Sequence, residues 1–172
     1  MTPRNGRATT ALRSYLRIDL PWGSAQPRAW RFIAAVLAAV VASIVACWVI
    51  ATVTAALVPA TTGYEHFRFA DYARLTVIGV VLASVAWPIV TLVSSRARRL
   101  YLLLAIIVTV ASFAPDAWIL HQGQPAAGVV GLMVMHVALL LITYPTLVWG
   151  APQPRLGARL AHGDPVRTGV SR

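Results

Sequence analysis

Four long apolar stretches divide this chain, and the charges between them fall almost entirely on alternate segments. Arginine stands at 4, 7, 13, 17, 28 and 31 before the first stretch, at 96, 98 and 99 between the second and third, and at 155, 159, 167 and 172 after the fourth. Only Arg68 and Arg74 fall in the other set. Apolar runs of this length cross a bilayer as helices, and segments rich in arginine stay on the cytoplasmic side. The pattern predicts an all-α membrane protein, a four-transmembrane-helix bundle with its N-terminus and C-terminus cytoplasmic. It would be a multi-pass protein of the cell (cytoplasmic) membrane.

The expected spans are 32–58, 75–93, 100–120 and 126–149, so that 32–149 forms the transmembrane domain. Residues 1–31 form a basic cytoplasmic segment. Within it Leu12, Tyr15, Leu16 and Leu20 recur at helical spacing before Pro21, which suits a short helix on the inner leaflet or a basic tail without structure. Residues 150–172, rich in Pro, Gly, Arg and Ala without periodicity, are expected to be a disordered cytoplasmic tail. The first span is too long for a cleavable signal: Phe32–Val58 is 27 residues, where a signal core needs about 7–15.

Composition closes several alternatives. A formal charge of +10 with only 12% charged residues places the arginines beside spans, where anionic lipid headgroups at the inner face are the natural counter-charge. There is no basic-aromatic groove of the kind that follows a nucleic-acid backbone, so no nucleic acid is expected. The single Cys47 excludes an internal disulfide, a redox pair and a cysteine zinc site. Glu65, His66 and Asp71 lack a known metal-ligand spacing, and a bis-histidine haem needs two deep histidines. No P-loop, nucleophile elbow or HExxH stands in the sequence. Neither metal nor cofactor is expected.

Small residues mark one packing face. Ala34, Ala38, Ala42 and Ala46 recur every four residues along span 1, with Ala35, Ala39, Ser43 and Cys47 beside them. Such strips let helix backbones approach closely in lipid, and the first of the two is read as the contact. Proline inside spans 2 and 4 follows an aromatic residue in both, Trp87-Pro88 and Tyr144-Pro145. A proline removes one helix hydrogen bond and collides with the carbonyl four residues back, so kinks are expected at Pro88 and Pro145. Pro115 should bend or end span 3.

One ionisable side chain lies deep in a span. His136 is 13 residues from Trp149, about 20 Å along a helix. Ser112, 12 residues from Leu100, is at nearly the same height, about 18 Å. Thr109, Ser112 and Asp116 share one face of span 3, and Thr143 continues the line on span 4. These five residues define a candidate polar seam between spans 3 and 4, with a hydrogen bond from His136 to Ser112 and Asp116 above it. An intramembrane ionisable group is a functional-site hypothesis by default, and a histidine can relay a proton or receive a headgroup. It can equally join two helices by a single hydrogen bond worth about 0.6 kcal/mol.

Several of these residues together resemble a family. Trp87-Pro88, the turn Ser94-Ser95-Arg96-Ala97-Arg98-Arg99-Leu100, the span end Ser112-Phe113-Ala114-Pro115-Asp116 and Met135-His136 are similar to short actinobacterial four-helix integral membrane proteins classed as a domain of unknown function. The resemblance covers about residues 30–150 and implies a protein of the cell membrane without bringing an activity. Tyr144 before Pro145 departs from that pattern.

The sparse polar inventory favours a non-enzymatic structural or accessory protein of the cytoplasmic membrane, with a membrane-protein partner or a second copy of the chain beside it. The alternative is a small carrier or lipid-handling protein that uses the span 3–4 seam around His136. A membrane enzyme with His136 as acid-base is a third reading. A space left open around His136 would favour the second and third, and a filled seam the first.

Overall fold

The computed structural model describes residues 26–153, and the short helix expected over 11–20 and the tail from 154 onward lie outside them. Four helices and two short 3-10 turns carry almost all of the described chain: α1 (Ala29–Leu57), α2 (Phe69–Val93), α3 (Ala97–His121) and α4 (Ala126–Gly150), with the turns at Pro59–Thr61 and Glu65–Phe67 between α1 and α2. All four helices are long and apolar enough to cross a membrane. The protein is an all-helical membrane-type bundle with no strand among the described residues. One end gathers both ends of the described segment and the Ser94–Arg96 turn, and is called the termini end below. The opposite, loop end carries residues 58–68 and the turn at 122–125.

The helices outrun the apolar stretches that define the spans. Helix α2 begins at Phe69, six residues before Leu75, and takes Asp71, Tyr72 and Arg74 into its first turns. A carboxylate there suits the positive end of the helix dipole, so charge ends the apolar stretch without ending the helix. Helix α3 runs through Pro115 to His121 instead of stopping there. The chain then turns at Gly123, whose φ of +86° is a left-handed conformation that glycine adopts without a side-chain clash. Pro125 then stands just outside α4. Helices α2 and α4 likewise continue through Pro88 and Pro145.

Helix α1 packs mainly against α4 and α2, and α3 leans mainly on α4. The strip of α1 that makes these contacts is Ala35, Ala39, Ser43, Cys47 and Ala51, all buried. This corrects the expectation for Ala34, Ala38, Ala42 and Ala46: the first three are exposed and Ala46 is half-buried. Both strips repeat every four residues, but only one phase faces the neighbours. Close approach is visible at Gly150, where an added Cβ would lie 3.0 Å from the Cβ of Ala35. The outward surface of α1 is Ile33, Leu37, Val41 and Val45, side chains that hydrocarbon solvates as well as protein does. Exposed Trp30 and Trp149 at the termini end, and Phe69 and Trp118 at the loop end, form the aromatic belts of a membrane protein.

At the termini end a packed cluster ties all four helices to the start of the C-terminal segment. Trp87, Tyr101, Leu147, Val148 and Ala151 are buried together. The Trp87 indole N–H donates to the carbonyl of Ala151 at 2.9 Å, and the Gln153 amide donates to Thr91 O at 3.1 Å. The expectation of an irregular tail from residue 150 is therefore corrected for 150–153, which the helix end and these two bonds hold in place. Tyr101 lies between the two aromatic-proline pairs: it meets Trp87 edge-on at 5.2 Å and stacks on Tyr144 at 5.9 Å. Its hydroxyl donates to the carbonyl of Ala83 at 3.0 Å, next to the Ser84 carbonyl that loses its usual partner because Pro88 has no N–H.

At the loop end the connection between α1 and α2 folds back over α4. Tyr64 is buried against Gly128, where an added Cβ would come within 2.9 Å of its ring, and Phe67 covers Gly131 at 2.8 Å. The two glycines, three residues apart on one face of α4, make room for two aromatic rings. Tyr64 and Phe67 are thus packing groups of the bundle.

Candidate functional site

Helices α2 and α3 are joined by a short turn, yet above Tyr101 they stand apart. Between them, with α4 as the back wall, lies a cavity of about 640 Å3, within the range of about 300–1,000 Å3 common for small-molecule sites. Helix α3 lines it from Tyr101 to Ile119, α2 from Asp71 to Ala86 and α4 from Leu132 to Tyr144. The α3 portion alone spans about 27 Å at helical rise, so the space is a long slot along the bundle. Its walls are mainly aliphatic, and Cys47 is the contribution of α1. Leu82 on α2 and Val108 on α3 line it while remaining 67% and 62% exposed. The slot is therefore open sideways, toward the surface that meets lipid.

All five residues of the expected seam, Thr109, Ser112, Asp116, His136 and Thr143, line this slot. Their connections differ from the expected ones. Ser112 Oγ donates to the carbonyl of Val108 in its own helix at 2.8 Å, so it is not the partner of His136. A serine in a helix finds the carbonyl four residues back without needing a neighbour. The group that meets His136 is Asp116, whose Oδ2 lies 3.1 Å from the ring Nδ1. The same Nδ1 lies 3.0 Å from the carbonyl of Leu132, and a carbonyl can only accept, so the Nδ1 hydrogen is directed there. The carboxylate is close enough for a charge interaction, yet Oδ2 receives no directed hydrogen bond. The Asp116 side chain is only 7% exposed, so a strong acceptor is buried at the slot wall with the His136 ring beside it. Thr143 Oγ is buried without a hydrogen bond as well.

The polar residues concentrate at one end. His66 and Asp71 also line the slot, and neither belonged to the expected seam. Phe113 sets its ring edge-on to His136 at 6.3 Å between centroids. Tyr64 stands behind this end, edge-on to His66 at 5.1 Å, with its hydroxyl buried and unpaired. Burial first, then the charges of Glu65 and Asp116, push its phenol above the usual tyrosine range, so it stays a neutral donor. Toward the termini end the slot closes on Ala86, Tyr101 and Tyr144. No group of three or more metal-binding side chains occurs among the described residues.

No family model matches the chain, and neither a curated protein nor a solved structure shows significant similarity to it. The site itself is therefore the source for its function.

Proposed function

We propose that this protein is a membrane-embedded binding or carrier protein for a single-chain amphiphile, held in the slot between α2, α3 and α4. The observation that carries this reading is the open space around His136 and Asp116. An accessory helix bundle with no ligand gains dispersion energy by closing α3 onto α2, and here the two leave a slot lined mainly by aliphatic side chains, with its carboxylates and histidines toward the loop end. Gly79 supports the same reading. It lies mid-helix on the slot wall, where a glycine is less favourable than alanine by about 1 kcal/mol, and an added Cβ would meet nothing within 4 Å. Packing does not require glycine there, and the missing side chain leaves that stretch of the slot wall open.

The arginines supply the orientation. Arg28, Arg31, Arg96, Arg98 and Arg99 sit at the termini end, and Arg68 and Arg74 toward the loop end with Glu65 and Asp71. By the basic-side rule the termini end is cytoplasmic and meets anionic headgroups, and the polar end of the slot lies in the outer leaflet of the cell membrane. Topology reporters fused after Arg98 and after Gly123 should report opposite sides, with Arg98 inside. An external Arg98 would reverse the direction of the slot.

The binding reading is tested with the protein in phosphatidylcholine nanodiscs and a hexadecanol that carries a photoactivatable diazirine in its chain. Labelling should concentrate on slot residues such as Ala105, Leu139 and Leu140. Labels confined to the outward residues Ile33, Leu37 and Val41 would mean that the probe sees only bulk lipid, and the reading would fail.

A further inference from the structure

The polar end of the slot has a definite charge character, and this inference rests on the amphiphile-binding reading above. The ionisable residues that line it are Asp71 on α2, Asp116 on α3, His136 on α4 and His66 in the connection between α1 and α2. Among the described residues, no arginine lines the slot. A phosphate or carboxylate headgroup would find two carboxylates and no fixed positive charge. An ammonium group would find the reverse: a buried Asp116 oxygen with no directed hydrogen bond, a second carboxylate, Asp71, on the lining, and no fixed cation among the lining residues to repel it. A buried carboxylate left unsatisfied is costly, and a donor that brings its own positive charge is the group that removes most of that cost.

We propose that the slot takes a single-chain cationic amphiphile, its ammonium seated against Asp116 at the loop end and its hydrocarbon tail running between α2 and α3 toward Tyr101. The His136 ring lies beside the same Asp116 oxygen, its Nδ1 at 3.1 Å. With the ligand bound, the ammonium is the counter-charge of the carboxylate, and the ring keeps its bond to the Leu132 carbonyl. The tail meets mainly aliphatic and aromatic walls, with the Thr76, Thr109 and Thr143 hydroxyls and the Cys47 thiol also on the lining. The neutral Tyr64 hydroxyl behind the site adds no charge.

The experiment is a competition against the hexadecanol photoprobe in phosphatidylcholine nanodiscs, with competitors compared at equal mole fraction of the lipid. Hexadecylamine should displace the probe at least about ten-fold better than unlabelled hexadecanol, the factor for one charge-assisted hydrogen bond. Hexadecanoate should be the weakest competitor. Asp116→Asn, similar in shape, should remove the advantage of the amine while the slot still labels with the alcohol, which shows that the variant is folded. An amine no better than the alcohol in the unaltered protein overturns the cationic assignment alone and leaves the binding reading standing, whether or not the variant folds. A preference for hexadecanoate overturns it equally. If the alcohol probe never labels the slot, the binding reading falls and this assignment falls with it.

Discussion

Trp87→Ala should destabilise the bundle by about 3–5 kcal/mol, the usual cost of emptying a large buried aromatic site. Trp87 is fully buried in a cluster that draws on α1, α2, α3 and α4, and its indole N–H is the donor that holds the Ala151 carbonyl. The cavity would open beside Tyr101, whose ring it meets edge-on and whose hydroxyl anchors the α2 backbone before Pro88. Two consequences should appear together: a lower melting temperature in detergent, and faster proteolysis within 150–153, since the segment loses its indole donor. Trp87→Phe keeps most of the packing and should lose less, about 1–2 kcal/mol for the missing hydrogen bond. A Trp87→Ala protein that melts within about 1 kcal/mol of the original, a minor change on the scale of buried-aromatic deletions, would mean that this end is not the anchor of the fold.

The second large effect concerns the slot. Gly79→Phe and Ala105→Phe place a ring on opposite walls of the same space, one from α2 and one from α3. Neither position is packed as a core residue: Gly79 is exposed and Ala105 half-buried. Stability should be unchanged or slightly raised, because each ring fills space and Gly79→Phe also replaces a weak helix former. Probe labelling of the slot should fall by at least about ten-fold, since a ring displaces several methylene contacts worth about 0.8 kcal/mol each. The pairing of intact folding with lost labelling distinguishes a blocked site from a damaged bundle. Equal labelling in the variants would place the bound probe elsewhere.

Hydropathy alone reveals the four helices, because the bilayer demands about twenty apolar residues per crossing and the chain supplies four such runs. It also misplaces their ends. The span rule detects where charge begins, whereas Asp71 and Arg74 are charged and still helical. The phase of α1 is harder. A helix apolar on every side has no polar face to point outward, so the strip through Ala34 and the strip through Ala35 read alike in sequence. Only the neighbours decide, and Gly150 against Ala35 is the deciding contact.

The site shows the same division. Thr109, Ser112 and Asp116 share a helical face by spacing, and counting rises from the two helix ends brings His136 near them. Counting does not reveal that Ser112 spends its hydrogen on Val108 in its own helix, nor which of two residues one turn apart meets the ring. Tyr64, His66 and Phe67 come from an irregular connection with no periodicity to read, and the glycines that accommodate two of them, Gly128 and Gly131, give only half of the signal. The slot was least legible of all. It exists because α3 leans on α4 and stands off from α2, and no local pattern records the separation of two helices joined by a short turn.

The most direct measurement is of what the protein carries from its own membrane. Purified in a mild detergent, exchanged extensively and then denatured, it should release a single-chain amphiphile at about one per protein, the occupancy of a single saturated site. The Ala105→Phe variant, purified in parallel, should release little of it. Recovery of only bulk membrane lipids, in the same amount and composition from both proteins, would contradict an amphiphile site between α2 and α3.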